Sequence, residues 1–233
     1  GVADLVEPGE RSDEGLVLDL QAGFLRGLQC EDHPSGDRRV VVKVCVGGAH
    51  EAQILGRLEH DAIVPVFSAD LDIATGLTGI CMPYAGRTTL VDILDMTHSR
   101  GFPDRATQIA EVISASSADD DETSEILCPR FRGTYVDGVV TIARDLTEAL
   151  VYSHGEGIVH SDIKPSNVLL TPAGQAMLID FNLSHGEDAE IRFGGTFPYM
   201  APEQLRGLTS EATSDERDIR TDIFALCATL YEL

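Results

Sequence analysis

Basic residues are scarce in this sequence. Seventeen Lys and Arg stand against 39 Asp and Glu, a formal net charge of −22. So acidic a surface is repelled by phosphate backbones and by anionic lipid, which argues against nucleic acid or an anionic membrane as the main partner. The plain reading of the acidity is solubility, and a preference for basic substrates also fits. No apolar run reaches about 18 residues, so no transmembrane helix is expected. No signal-peptide pattern stands at the start of the chain. The five cysteines (Cys30, Cys45, Cys81, Cys128 and Cys227) are scattered and form no Cys-x-x-Cys. That suits a reducing, cytoplasmic setting and argues against a disulfide framework or a zinc site. The seven histidines show no ligand spacing. There is no Gly-x-x-x-x-Gly-Lys-Ser/Thr loop, so a P-loop enzyme has no support. No internal repeat is visible.

What is present divides the chain into three. Its 233 residues, 43% hydrophobic, suffice for one large domain or two small lobes. Residues 1–14 read as a loose acidic tail. Residues 15–83 read as a small sheet with one helix: three strands from Gly15 to Val46, a helix over about Ala49 to Leu58, then strands at Ile63 to Phe67 and Thr78 to Met82. Residues 84–233 read as mainly helical. Within them a disordered acidic insertion is expected over about 103–130, most polar at 114–125. Tyr135 to His154 carries Val136, Val139, Val140, Ala143, Leu146, Ala149 and Leu150 at helical spacing. Short strands follow near 168–170 and 176–179, then a loop from 180 to about 203 and a last apolar helix over Ile219 to Leu233. The chain starts at Gly1 rather than Met and is expected to be a piece of something longer.

The run His160-Ser161-Asp162-Ile163-Lys164-Pro165-Ser166-Asn167-Val168-Leu169-Leu170 is the most telling segment. It fixes a carboxylate, a lysine two residues on and an amide five residues on, just before an apolar strand. Asp180-Phe181-Asn182 begins eighteen residues past Asp162. The set resembles the catalytic and metal loops of the protein kinase family. The resemblance implies phosphoryl transfer, which needs little covalent help but does need an aligned nucleophile and cancelled charge. Two more segments extend the resemblance. Gly194-Gly195-Thr196-Phe197-Pro198-Tyr199-Met200-Ala201-Pro202-Glu203 is similar to the family's substrate-facing loop, and Asp222 matches its buried brace for the catalytic loop.

The resemblance implies an α+β, bilobal fold: a small antiparallel-sheet lobe with one helix and a mainly helical second lobe, incomplete here. It implies ATP held between the lobes with Mg²⁺, and a protein substrate bearing a Ser or Thr hydroxyl. Asp162 would accept the hydroxyl proton, Lys164 would face the moving phosphoryl group, and Asn167 and Asp180 would hold Mg²⁺. Thr196, with Lys164, is the pattern of members acting on serine or threonine. Lys43, read alone, is an edge or solvent-facing residue of its strand, and Glu51 a solvated helix residue. In the family the two would pair and hold the α- and β-phosphates. Met82, Pro83, Tyr84 and Ala85 would form the adenine-binding hinge, with Val41 and Leu169 on either side of the purine, where core packing is the plainer reading. Leu55, His160 and Phe181 would form most of a hydrophobic spine.

Several positions depart from the family pattern. The segment Leu20 to Gly27, containing Gly23, has two glycines at the wrong spacing for a phosphate-covering loop, which should weaken nucleotide grip. Ser161 replaces an arginine that normally receives a phosphate, so switching by loop phosphorylation is not expected. Asn182 replaces a glycine. The short link from the strand of Lys43 to the helix of Glu51, the Met82-Pro83-Tyr84 hinge and Asp180-Phe181-Asn182 look most like the bacterial eukaryotic-like serine/threonine kinases. Two other classes remain to be weighed. One is a pseudokinase that binds nucleotide or scaffolds, favoured by the glycine-loop departure. The other is a serine acyl enzyme, since Ser161-Asp162-Ile163-Lys164 fits Ser-x-x-Lys, but no Ser-Asp-Asn or Lys-Thr-Gly accompanies it.

Overall fold

The structure, a computed structural model, describes residues 17–19, 24–30, 38–46, 52, 55–117, 128–181, 197–207 and 218–233. The expected tail at 1–14 lies outside them. The chain divides into two units. The described residues of the first lie within 1–59 and 64–84, and those of the second within 60–63, 85–182 and 186–233.

The first unit is a five-stranded antiparallel sheet of β1 (Val17–Asp19), β2 (Phe24–Cys30), β3 (Arg38–Val46), β4 (Ser68–Asp72) and β5 (Leu77–Pro83), in the order β1-β2-β3-β5-β4. The β-branched run of β3 takes the middle position, and its register sets Val41 opposite Met82 and Lys43 opposite Ile80. Ile80 is fully buried. Lys43 is therefore on a central strand and half-buried, not at an edge. A strand was expected at Ile63 to Phe67; the structure puts it at Ser68–Asp72 instead. Asp72 nucleates the turn, its Oδ1 accepting from the Ala74 N–H at 2.9 Å, and the hairpin then pairs Ser68–Asp72 with Leu77–Cys81. As an edge strand β4 needs no apolar run.

The second unit contains β6 (Thr88–Thr89), α1 (Leu90–Arg100), α2 (Thr107–Ser117), α3 (Tyr135–Gly155), β7 (Val168–Leu170), β8 (Ala176–Leu178), α4 (Pro202–Gly207) and α5 (Ile219–Glu232). The helix starts follow capping chemistry. Asp92 accepts from the Thr89 N–H at 2.7 Å at the head of α1, and Asp137 accepts from the Thr134 N–H at 2.8 Å at the head of α3. Leu90, Ile93, Ile109, Ile113, Ile142 and Leu146 are fully buried. Each contributes about 1.5–3 kcal/mol relative to an exposed side chain.

The expectation of a disordered insertion over about 103–130 is corrected at both ends. Residues 107–117 form α2, and Ala106, Ile109 and Ile113 bury their side chains completely. A Cβ at Gly138 of α3 would meet Ile109 Cδ1 at 2.8 Å, so α2 and α3 approach closely because that position is glycine. At the far end Arg130 Nη2 donates to both carboxylate oxygens of Asp145 of α3, at 2.6 and 2.8 Å, and Asp145 also accepts from the Ala176 N–H at 3.1 Å. Residues 118–127 lie outside the described set. The face that α3 buries is correspondingly shifted. Tyr135, Gly138, Ile142, Asp145, Leu146, Ala149 and Leu150 point inward, while Val136 and Val140 are exposed.

Candidate functional site

The second unit carries a loop, 158–167, between α3 and β7. Its shape is set by one buried carboxylate. Asp222, on the first turn of α5, is 0% exposed. Its Oδ2 accepts from the His160 N–H at 2.8 Å and its Oδ1 from the Ser161 N–H at 2.8 Å. His154 Nε2 lies 2.8 Å from the same Oδ2. With both N–H groups fixed, Ser161 adopts φ +68°, a left-handed conformation that costs a non-glycine residue free energy.

His160 is the pivot of the loop. Its ring is fully buried and lies 4.4 Å, centroid to centroid, from Phe181. Nε2 is 3.0 Å from the Ile179 carbonyl, and Nδ1 is 3.3 Å from the Asp162 N–H. A carbonyl only accepts and an N–H only donates, so the network assigns the neutral tautomer protonated on Nε2. Burial, the largest influence, pushes the imidazole below its ordinary value against the attraction of Asp222. The unfolded chain protonates near the usual 6.5 and the folded one lower. The stability from a neutral His160 is therefore present above about 6.5 and is lost as pH falls below it. Unfolding free energy measured by urea titration should fall between about pH 7.5 and 5.5, and fall less steeply in His160→Gln. Parallel profiles would remove His160 as the cause. Asp137, held low by the Thr134 hydroxyl and N–H, acts in a separate window below its ordinary 3.8.

Around this pivot three predicted side chains converge. Lys164 Nζ donates to Asp162 Oδ2 at 2.7 Å. Asn167 Nδ2 donates to the Asp162 carbonyl at 2.8 Å and to Asp162 Oδ2 at 3.2 Å. Asp162 Oδ1 is buried with no hydrogen-bond partner among the described residues, an acceptor left open at a free-energy cost. Pro165–Asn167 turn once as a 3-10 helix, with the proline at a position where its missing N–H costs nothing. The Ile179 N–H donates to the Asn167 carbonyl at 3.1 Å, which brings Asp180 next to this loop. Asp180 is half-buried with φ +59°, a second non-glycine residue in left-handed conformation.

Asn167 and Asp180 suit a hard cation. The Asn167 amide nitrogen is spent on Asp162, so its Oδ1 remains as an oxygen ligand, touched among the described residues by the Ser166 hydroxyl at 3.5 Å. One carboxylate plus one amide oxygen, completed by water and phosphate, is a donor set that Mg²⁺ accepts. Among the described residues no three His, Cys, Asp or Glu group as a closed metal cage.

The remaining predicted residues fall as follows. Leu169 is half-buried on β7 of the second unit. Val41 and Lys43 lie two apart on β3 of the first unit, on one face. Met82 is buried on β5, Pro83 ends that strand, and the Tyr84 N–H donates to the Arg39 carbonyl at 3.1 Å. Ala85 begins the next stretch of the second unit. Gly23, Glu51, Asn182 and Thr196 lie outside the described residues. Sequence reasoning passed over two participants, His154 and Gln204. A lone histidine on a helix carries no signal by itself. Gln204 had one: a Gln three residues after a helix-start position, with Pro202 between, reads as half of a capping box.

The protein kinase domain family matches residues 46–233. A probable serine/threonine-protein kinase of Streptomyces coelicolor is 30% identical over 194 residues, covering 78% of this chain and 22% of its own. Serine/threonine-protein kinase PknB of Mycobacterium leprae is 28% identical over 193 residues, covering 78% of this chain and 24% of its own. A probable serine/threonine-protein kinase of Corynebacterium efficiens is 27% identical over 191 residues, with 78% and 23% covered. The chain thus spans under a quarter of the length of these relatives.

Proposed function

The chain belongs to the protein kinase domain family, and we propose that it transfers the γ-phosphoryl group of ATP to a serine or threonine hydroxyl of a protein substrate. The observation that carries this reading is Asp162: one carboxylate oxygen accepts from Lys164 and Asn167, and the other is buried with no partner among the described residues. Bound Mg²⁺ supplies charge neutralisation for the phosphates, with Asn167 and Asp180 as its protein ligands. Asp162 orients the substrate hydroxyl and takes its proton as the oxygen bonds to phosphorus and ADP leaves. Lys164, fixed against Asp162, stabilises charge on the moving group. Lys43, with Glu51, would hold the α- and β-phosphates, and Val41, Met82, Pro83, Tyr84, Ala85 and Leu169 would take the adenine. Gly23 belongs to the segment covering the phosphates, and Thr196 faces the acceptor residue.

The acidity of the chain and the names of its relatives support a protein substrate rather than nucleic acid, and the scattered cysteines suit a cytoplasmic setting. Among the described residues no helix is long and apolar enough to cross a membrane. The test is transfer from γ-labelled ATP with Mg²⁺, to the protein itself and to a generic basic protein. Label is expected on serine or threonine and should vanish with a chelator. A folded protein that binds ATP but passes no label would establish the pseudokinase reading, which the glycine spacing of Leu20 to Gly27 favours.

A further inference from the structure

The peptide unit that enters Asp162 is held at both ends, and one of the two anchors comes from far along the chain. We infer that Gln204 is a positioning residue, holding the Ser161 carbonyl and through it the Asp162 carboxylate in the geometry used for transfer. This inference rests on the reading of Asp162 proposed above.

Gln204 lies on α4, 43 residues from Ser161, and its Nε2 donates to the Ser161 carbonyl at 3.0 Å. Its Oε1 accepts from the Ala201 N–H at 2.9 Å. The amide orientation is unambiguous, because the Ala201 N–H can only donate and the Ser161 carbonyl can only accept. Ser161 is the residue whose conformation needs help. At φ +68° it is disfavoured for a side chain with Cβ, and it persists only if surrounding contacts over-determine it. Asp222 takes its N–H at 2.8 Å, and Gln204 takes its carbonyl. That carbonyl and the Asp162 N–H belong to one planar peptide, and the N–H end meets His160 Nδ1 at 3.3 Å. Release of the carbonyl end leaves the plane held by that one long bond, and the direction of the Asp162 side chain follows the plane.

The chemistry selects glutamine. The job needs a donor and an acceptor on one rigid group, at the reach of two methylenes. Glutamate is isosteric and keeps the Ala201 contact, but it turns an acceptor toward the Ser161 carbonyl. The segment 201–204 and the loop at Asp162 are therefore coupled through a single side chain.

The experiment compares wild type with Gln204→Glu, each also in a Ser161→Gly background, since glycine accepts φ +68° without cost. Steady-state transfer and amide hydrogen exchange over 160–163 are both read. Gln204→Glu is expected to lower kcat about 10- to 100-fold, the cost of a displacement of up to about 1 Å, with KM for ATP near wild type. Exchange at Asp162 and Ile163 should quicken about tenfold. In the Ser161→Gly background both effects should shrink. Unchanged kcat with unchanged exchange overturns the inference, as does an equal loss in both backgrounds. If wild type itself transfers nothing, the kinase reading fails on its own. The exchange comparison then still decides Gln204: faster exchange upholds the tether, and unchanged exchange removes it.

Discussion

Asp162→Asn is expected to cut phosphate transfer about a thousandfold while leaving ATP binding near wild type. The reason lies in how the carboxylate is divided. Oδ2 already accepts from Lys164 and Asn167, so an asparagine must keep its oxygen on that side, where two donors face it. Its amide nitrogen then falls at the Oδ1 position, which in wild type is a buried acceptor without a partner among the described residues. An NH₂ there can neither accept a hydroxyl proton nor orient the hydroxyl oxygen toward phosphorus. The shape of the loop survives, because the Asp162 N–H and carbonyl bonds do not involve the side chain. Single-turnover transfer with saturating ATP, beside nucleotide binding by calorimetry, separates the two effects. Turnover near wild type would remove Asp162 from the role proposed for it.

The fold was legible where local chemistry and burial agree. The run Val40 to Val46 is β-branched because β3 lies in the middle of a sheet, and Tyr135 to Gly155 is helical with a capping box at Thr134. It was illegible where a partner decides. Ser68-Ala69-Asp70-Leu71-Asp72 is a poor strand sequence by composition, and it becomes one only because the Asp72 turn folds it against β5. Residues 107–117 look like part of a polar insertion when read with the acidic stretch beyond them. Their apolar positions find a surface on α3, at the gap that Gly138 leaves, and on α1 and β6. Missing α2 also misplaced the buried stripe of α3. Val136 and Val140 keep helical spacing but face away from the partner.

The candidate site was legible because its chemistry sits in short runs. Asp162, Lys164 and Asn167 are within six residues of one another, and the structure joins their side chains directly. What the sequence withheld were groups that act through distant chain. The His154 ring on Asp222 and the left-handed turn at Ser161 leave no local signal, and the capping position of Gln204 gives no sign of its bond to the Ser161 carbonyl, since each depends on chain brought from 40 to 70 residues away. Asp222 is the exception. It was legible through resemblance alone, and the structure supplies its physical content as three converging donors.

That convergence makes Asp222→Asn the most damaging conservative change expected outside the reacting groups. The two carboxylate oxygens each take a backbone N–H, Ser161 on Oδ1 and His160 on Oδ2. Whichever way an asparagine amide is turned, its NH₂ meets one of those N–H groups in a site with no exposure to water. A buried donor left without an acceptor costs about 1–3 kcal/mol, and a facing pair of donors adds repulsion, so stability should fall by about 3 kcal/mol. The loss falls on the loop that carries Asp162. Ser161 has no other reason to hold φ +68° at its N–H side, and a shift of the loop by about 1 Å should reduce kcat about a hundredfold even where the variant remains folded. Urea unfolding midpoints give the first number and transfer rates at low temperature the second. A variant with a wild-type midpoint and rate would mean that Asp222 merely fills space. A variant that loses stability but keeps its rate would mean that the Gln204 and His160 contacts hold the turn without it.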